Sequence, residues 1–241
     1  MDRTGLAMES AQILAEKDGV SAISRTIGGI KITDVKIRSA AAQSIGKAAG
    51  RYVTLEGEPS DEGMTALLHR ALAQFLPERG RVFVAGLGNP DIAPDSLGAL
   101  SVRGLTKLRT RRFALSAIET DVAAKTGLDT AKLVRAAARE LPADCLIVVD
   151  ALSCGNPRYI GKTVQITDAG IVPGSGAGKR NRELSRKTLG IPVAAIGVPL
   201  VTLLSSVTNN PDDSRFFVTA NDIDVIVRQW AEVISAVLEE L

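Results

Sequence analysis

Two periodicities alternate along most of the chain. RVFVAG (81–86), DCLIVVD (144–150) and IPVAAIGVP (191–199) are short and almost wholly apolar, the pattern of strands covered on both faces. KTVQIT (162–167) predicts a further strand. Between them, DEGMTALLHRALAQFL (61–76), the segment 95–108 and TAKLVRAAARE (130–140) read as helices from apolar spacing and start signals. DIDVIVRQWAEVISAVLEEL (222–241) predicts a long amphipathic helix. Helices alternating with buried strands predict an α/β fold with a mostly parallel sheet. The first sixty residues read differently. IGGIKITDVKI (27–37) alternates Ile30, Ile32 and the Val35/Ile37 pair after a Gly28-Gly29 turn, and GRYVTLEG (50–57) predicts another half-buried strand. Residues 1–60 are therefore read as a small β-rich extension packed on one edge of a single domain spanning 1–241.

Composition narrows the classes. With 241 residues and 45% hydrophobic content the chain can bury one large core, or one core with a modest appendage. Lys+Arg of 29 against Asp+Glu of 27 leaves a formal charge of +2, too balanced to predict a nucleic-acid or membrane partner. No apolar run reaches the roughly 18 residues of a spanning helix, and MDRTGLAMESAQ lacks the apolar core of a signal peptide, so a soluble, cytoplasmic protein is expected. Cys145 and Cys154 flank one predicted strand, too far apart for a disulfide, and are expected to be reduced thiols.

Several chemistries drop out. GLGNPD (86–91) has glycines like those of a phosphate loop, but GxG followed by Asn-Pro lacks the third glycine at the spacing the dinucleotide motif requires. PGSGAGKRN (173–181) lacks the spacing of a nucleotide-binding P-loop. The one histidine, His69, falls inside an amphipathic helix, which disfavours a Ser-His-Asp triad. Cys154 has no histidine to activate it, and neither cysteine sits in a metal-binding spacing, so no metal or other cofactor is expected. Carboxylates remain. Asp95 and Asp150 follow two apolar runs, at strand ends where α/β folds place ligands. Brought together they could not both ionise easily, giving one acid and one base from identical side chains. Position alone leaves a second reading open, in which Asp95 caps a helix beginning Ser96-Leu97 and Asp150 caps the segment after its strand. Asp168, in DAG, is a third candidate that echoes D-[ST]-G, with Ala169 in place of the hydroxyl residue. Backbone N–H groups of Gly86, Gly88 and Asn89, or of Gly174, Ser175 and Gly176, are candidate oxyanion donors. Lys179, Arg180 and Arg182 form a basic loop that either attracts acidic substrate segments or is simply solvated.

Ordered motifs add a resemblance that covers almost the whole chain. RTGLAMES, GGIKI, GRYVTLE, GLGNPDIAPDSLG, IET, CLIVVDAL, VQITDAGIVPGSGAGKR and TLGIPVAAIGVP follow one another as in the germination protease family of spore-forming bacteria. That family comprises peptidases that degrade the small acid-soluble proteins coating spore DNA. The resemblance implies an atypical aspartic-type endopeptidase with a three-layer α/β/α core like that of the hydrogenase-maturation peptidases. It implies catalytic roles for Asp95 and Asp150, a homotetramer in the spore core, and a zymogen whose self-cleavage would fall near Gly5-Leu6. This sequence departs from the pattern at three places. It begins five residues before LAMES, so a shorter propeptide is expected. Gly5 replaces the aspartate before the cut, and TKLRTRRFALSAIET is shorter than the family's segment before IET. Rival readings are a maturation-type peptidase that senses nickel and a non-catalytic homologue that binds spore proteins.

Overall fold

A computed structural model describes residues 4–14, 19–173 and 183–241, with helical backbone alone for 11–14. The chain opens with helix α1 (Ala7–Leu14), the hairpin β1 (Val20–Ile27) and β2 (Ile30–Ile37), helix α2 (Ser39–Ile45) and strand β3 (Gly50–Glu56). Then come α3 (Met64–Ala73), β4 (Gly80–Gly86), α4 (Leu97–Arg103), β5 (Phe113–Glu119), α5 (Ala123–Thr126) and α6 (Thr130–Glu140). The remainder comprises β6 (Cys145–Cys154), β7 (Thr163–Thr167), α7 (Arg186–Leu189), β8 (Val193–Leu203), α8 (Ser205–Thr208), β9 (Phe217–Val218) and α9 (Ile223–Glu239).

The nine strands among the described residues share one sheet in the order β1-β2-β3-β7-β8-β6-β4-β5, with β9 paired to the end of β8. The α/β class stands, but the sheet is mixed rather than mostly parallel. Parallel pairing is confined to β5, β4, β6 and β8, while β1, β2, β3, β7 and β9 pair antiparallel. The reason is connection length: Gly28-Gly29, with φ of 57° and 83°, closes a two-residue hairpin that forces antiparallel neighbours, whereas helices link the parallel strands. The β-rich beginning of the chain extends the same sheet beyond β7.

Alternation along the strands sends side chains to two layers. Cys145, Ile147 and Val149 of β6 and Val82 and Val84 of β4 join one cluster with Met64, Leu68 and Leu72 of α3, Leu97 of α4, and Val227, Trp230 and Ile234 of α9. Leu146 and Val148 of β6 and Phe83 and Ala85 of β4 point the other way, onto Ala131, Val134 and Ala138 of α6. A three-layer arrangement follows directly. Helix α6 starts where predicted because the Asp129 side chain accepts the Lys132 N–H at 3.1 Å. Trp230 is fully buried, and its Nε1–H donates to Gly161 O at 2.7 Å. Two helices are shorter than their sequence patterns. Helix α3 begins at Met64, after Gly63 in a left-handed conformation (φ 85°), and α4 spans Leu97–Arg103. Among the described residues no helix is long and apolar enough to cross a membrane.

Candidate active site

The candidate site lies where β4 and β5 end, beside the middle of β6, and the chain turns from β4 into α4. Gly86, Gly88 and Gly98 explain how that turn lies so close to the strands. A Cβ at Gly86 would stand 2.1 Å from Gly98 O, and one at Gly98 would stand 2.3 Å from Leu87 N and 2.5 Å from Val149 O. The glycines of GLGNPD therefore serve contact of backbone on backbone, with no need of a phosphate. A 3-10 turn over Ala93–Asp95 then sets Asp95 against Gly88 and Asn89.

Asp95 does not cap α4: Ser96 occupies the cap position, its hydroxyl donating back to Ala93 O instead of capping the helix, and Asp95 Oδ2 accepts the Asn89 N–H at 2.8 Å. Nor does Asp150 end its strand, because β6 continues to Cys154, with an irregularity in its pairing with β8 between Leu152 and Ser153. Its Oδ1 accepts the N–H of the next residue, Ala151, at 3.0 Å. Both carboxyl groups are half-buried. Burial pushes the Asp150 carboxyl up to about 8, and the charge of Asp95 adds to the rise, which puts the two groups within electrostatic reach. Asp95 is also raised, first by burial and then by Asp121, against the hydrogen bond from Asn89 that favours its ionised form.

The loop donors are mostly committed. Leu87 N–H bonds to Val149 O at 2.8 Å, Asn89 N–H serves Asp95, and Gly86 O accepts both the N–H and the hydroxyl of Thr120. Gly88 N–H has no acceptor among the described residues. Asp168 is not brought to the pair. It is exposed at the end of β7, where its Oδ1 accepts the Arg51 N–H at 2.7 Å. In register, Asp150 lies opposite Gly197 and Gly197 opposite Gln165, so Asp168 stands two strands away and three residues further along. Gly174, Ser175, Gly176, Lys179, Arg180 and Arg182 lie outside the described residues.

Gly5 and Leu6 sit elsewhere on the sheet. Gly5 N–H donates to Ser153 O at 2.6 Å, its carbonyl accepts from Gln165 Nε2 at 3.2 Å, and the Leu6 side chain is fully buried. Both ends of the Gly5 unit are thus tied to the sheet. His69 lies half-buried on α3. Cys145 and Cys154 are free and buried, with burial pushing each thiol up to about 12, which leaves neither as a ready nucleophile. Among the described residues no group of three or more His, Cys, Asp or Glu side chains could hold a metal ion.

Sequence reasoning missed the charges beside Asp95. Asp121 lies two residues past β5 and pairs with Lys125 at 2.7 Å, and Lys125 also pairs with Asp91 at 2.6 Å. The only signal was position: Asp121 adjoins the IET motif and Asp91 ends GLGNPD.

A family model described as germination protease matches residues 4–219. A germination protease from a Geobacillus species is 34% identical over 248 residues, covering 88% of this chain and 66% of the relative. One from Bacillus cytotoxicus is 36% identical over 241 residues with the same coverage. The chain thus spans 66% of the length of these curated relatives. Among solved structures, the [NiFe] hydrogenase maturation protease HycI from Thermococcus kodakarensis aligns with 70% of this chain and 99% of its own, at 19% identity and a TM-score of 0.42. The match along residues 4–219, with the identity to the curated relatives, shows that the chain belongs to the germination protease family.

Proposed function

We propose that the protein is an endopeptidase that hydrolyses small acid-soluble spore proteins during germination, with Asp95 and Asp150 as its acid/base pair. One observation carries the reading: both carboxyls are half-buried, and the charge of Asp95 raises the affinity of Asp150 for its proton. Such a pair holds one proton between its two members over a wide pH range. At neutral pH the proton rests on Asp150, whose carboxyl titrates near 8, while the Asn89 N–H favours the ionised Asp95. Asp95 then takes a proton from water as the water attacks the peptide carbonyl, and Asp150 gives its proton to the departing amine. The unpaired Gly88 N–H, beside Asp95, is the loop donor available to the developing oxyanion. The family supplies the substrate class, the spore location, a zymogen form and a tetramer as parts of the same proposal.

Purified protein is incubated with an acid-soluble spore protein across a pH series. Asp95→Asn and Asp150→Asn should each lower kcat by about 10³-fold or more, since each removes one partner in proton transfer. In the unaltered enzyme the rate should fall as pH rises past about 8, when Asp150 loses its proton. Cleavage at the wild-type rate by both variants would sink the dyad.

A further inference from the structure

Lys125 takes no part in the chemistry above, yet its ammonium is bonded to three groups around Asp95. Nζ lies 2.7 Å from Asp121 Oδ2, 2.6 Å from Asp91 Oδ2 and 3.3 Å from Asn89 Oδ1. These partners come from separate parts of the chain. Asp121 follows β5, whereas Asn89 and Asp91 belong to the turn between β4 and α4. Asn89 is the residue whose N–H holds the Asp95 carboxylate, and its side-chain oxygen also accepts the Asp91 N–H at 3.0 Å. Lys125 itself stands on α5, a single turn of four residues. Asp121 is 22% exposed and Asp91 73% exposed, so the clasp reaches from the crevice wall to the surface.

We propose that Lys125 is a positioning residue for Asp95: one ammonium clasps Asn89, Asp91 and Asp121, fixing the loop amide that orients the base and offsetting the negative charge crowded around it. The proposal rests on the reading of Asp95 as the base.

The charges around Asp95 show why an ammonium is needed. The charges of Asp95 and Asp150, on β6, act on each other, and Asp121, two residues past β5, acts on Asp95. Glu119, at the end of β5, is already paired with Arg103 of α4 at 2.5 Å. Lys125 is the cation paired with Asp91 and Asp121 among the described residues. Its hydrogen bond holds Asp121 below the usual carboxylate range, and Asp121 in turn raises Asp95. Without the ammonium, Asp121 would stand unpaired beside the base and the Asn89 side chain would lose a bond. Both changes favour protonated, inactive Asp95.

The test follows kcat/KM against pH for cleavage of an acid-soluble spore protein. Lys125→Met should move the acid limb up by roughly 0.5–1 pH unit, as expected for loss of a nearby compensating charge. Lys125→Arg should restore most of the wild-type profile. Lys125→Met combined with Asp121→Asn should bring the limb most of the way back, because Asp121 is the unpaired charge that acts on Asp95. Two results would overturn the proposal: a uniform loss of rate at every pH, or a double variant as shifted as the single one. Asp95→Asn is measured in parallel. If it cleaves normally, the reading of Asp95 as the base fails. If it is inactive while Lys125→Met leaves the acid limb unmoved, only the positioning role fails.

Discussion

A methyl group at Gly88 would stand 2.0 Å from the carbonyl oxygen of Asp95 and 3.0 Å from its carboxylate. Gly88 also has a φ of 110°, a conformation other residues rarely adopt. Gly88→Ala should therefore push the Asp95 turn off the strand ends while the sheet beneath survives. Cleavage should fall about 100-fold, the usual consequence of moving a reacting group by about an ångström, with an unchanged far-ultraviolet circular dichroism spectrum. A Gly88→Ala enzyme of normal rate would show that the turn tolerates displacement. The same residues show how a glycine motif misleads in isolation. GLGNPD has the composition of a phosphate loop, but its glycines meet Gly98 and Asp95, partners that lie nearby in sequence and become visible only once the chain turns back on itself.

At the scale of elements, the first residues are joined to the middle of the chain by one buried acid. Glu9 is 8% exposed and accepts the N–H groups of Gly155 at 2.9 Å and Asn156 at 2.7 Å, just beyond β6, and the Thr4 hydroxyl. Nearby, Ala7 N–H donates to the Gln165 side chain at 2.8 Å, and Leu6, Ala7 and Met8 are fully buried with Cys154 and Tyr159. Glu9→Ala leaves two amides without their acceptor and should cost about 1–3 kcal/mol of stability. Urea unfolding would report this as a lower midpoint at unchanged slope; an unmoved midpoint would mean that water replaces the carboxylate without loss. Elements were legible where packing made their patterns strong. Helix α6 runs over the predicted Thr130–Glu140, because its capping residue and its buried face both lie within that segment. Strand β1 was missed upstream of Ile27: it is an exposed edge, with Ile23 73% exposed, and so lacks the alternation that burial imposes. Strand β5 was missed because only Phe113 and Leu115 among its residues are fully covered.

At the scale of the whole molecule, the site sets a pH dependence of stability. An unfolded aspartate releases its proton near pH 4, whereas Asp150 in the fold keeps it up to about 8. Over that window the folded state binds the extra proton, so the Asp150 contribution is full below about pH 4, declines as pH rises and is gone above about pH 8. Asp150→Asn should remove this slope, and denaturant unfolding at a series of pH values would reveal it as a flatter curve; parallel curves would show that Asp150 titrates normally in the fold. Local pattern was enough to establish the α/β class, the buried strands β4, β6 and β8 and the helix α9, and to single out the two aspartates as candidates. Each of these depends on periodicity or on the nature of nearby side chains, which a sequence displays directly. Only the tertiary structure decided that the sheet is mixed, that Asp95 bonds to Asn89 instead of capping α4, that Asp168 stands apart, and that Lys125 and Asp121 adjoin the site. Those facts depend on which strands become neighbours and on backbone contacts between separate segments, and no linear spacing encodes the distance between two residues that the fold brings together.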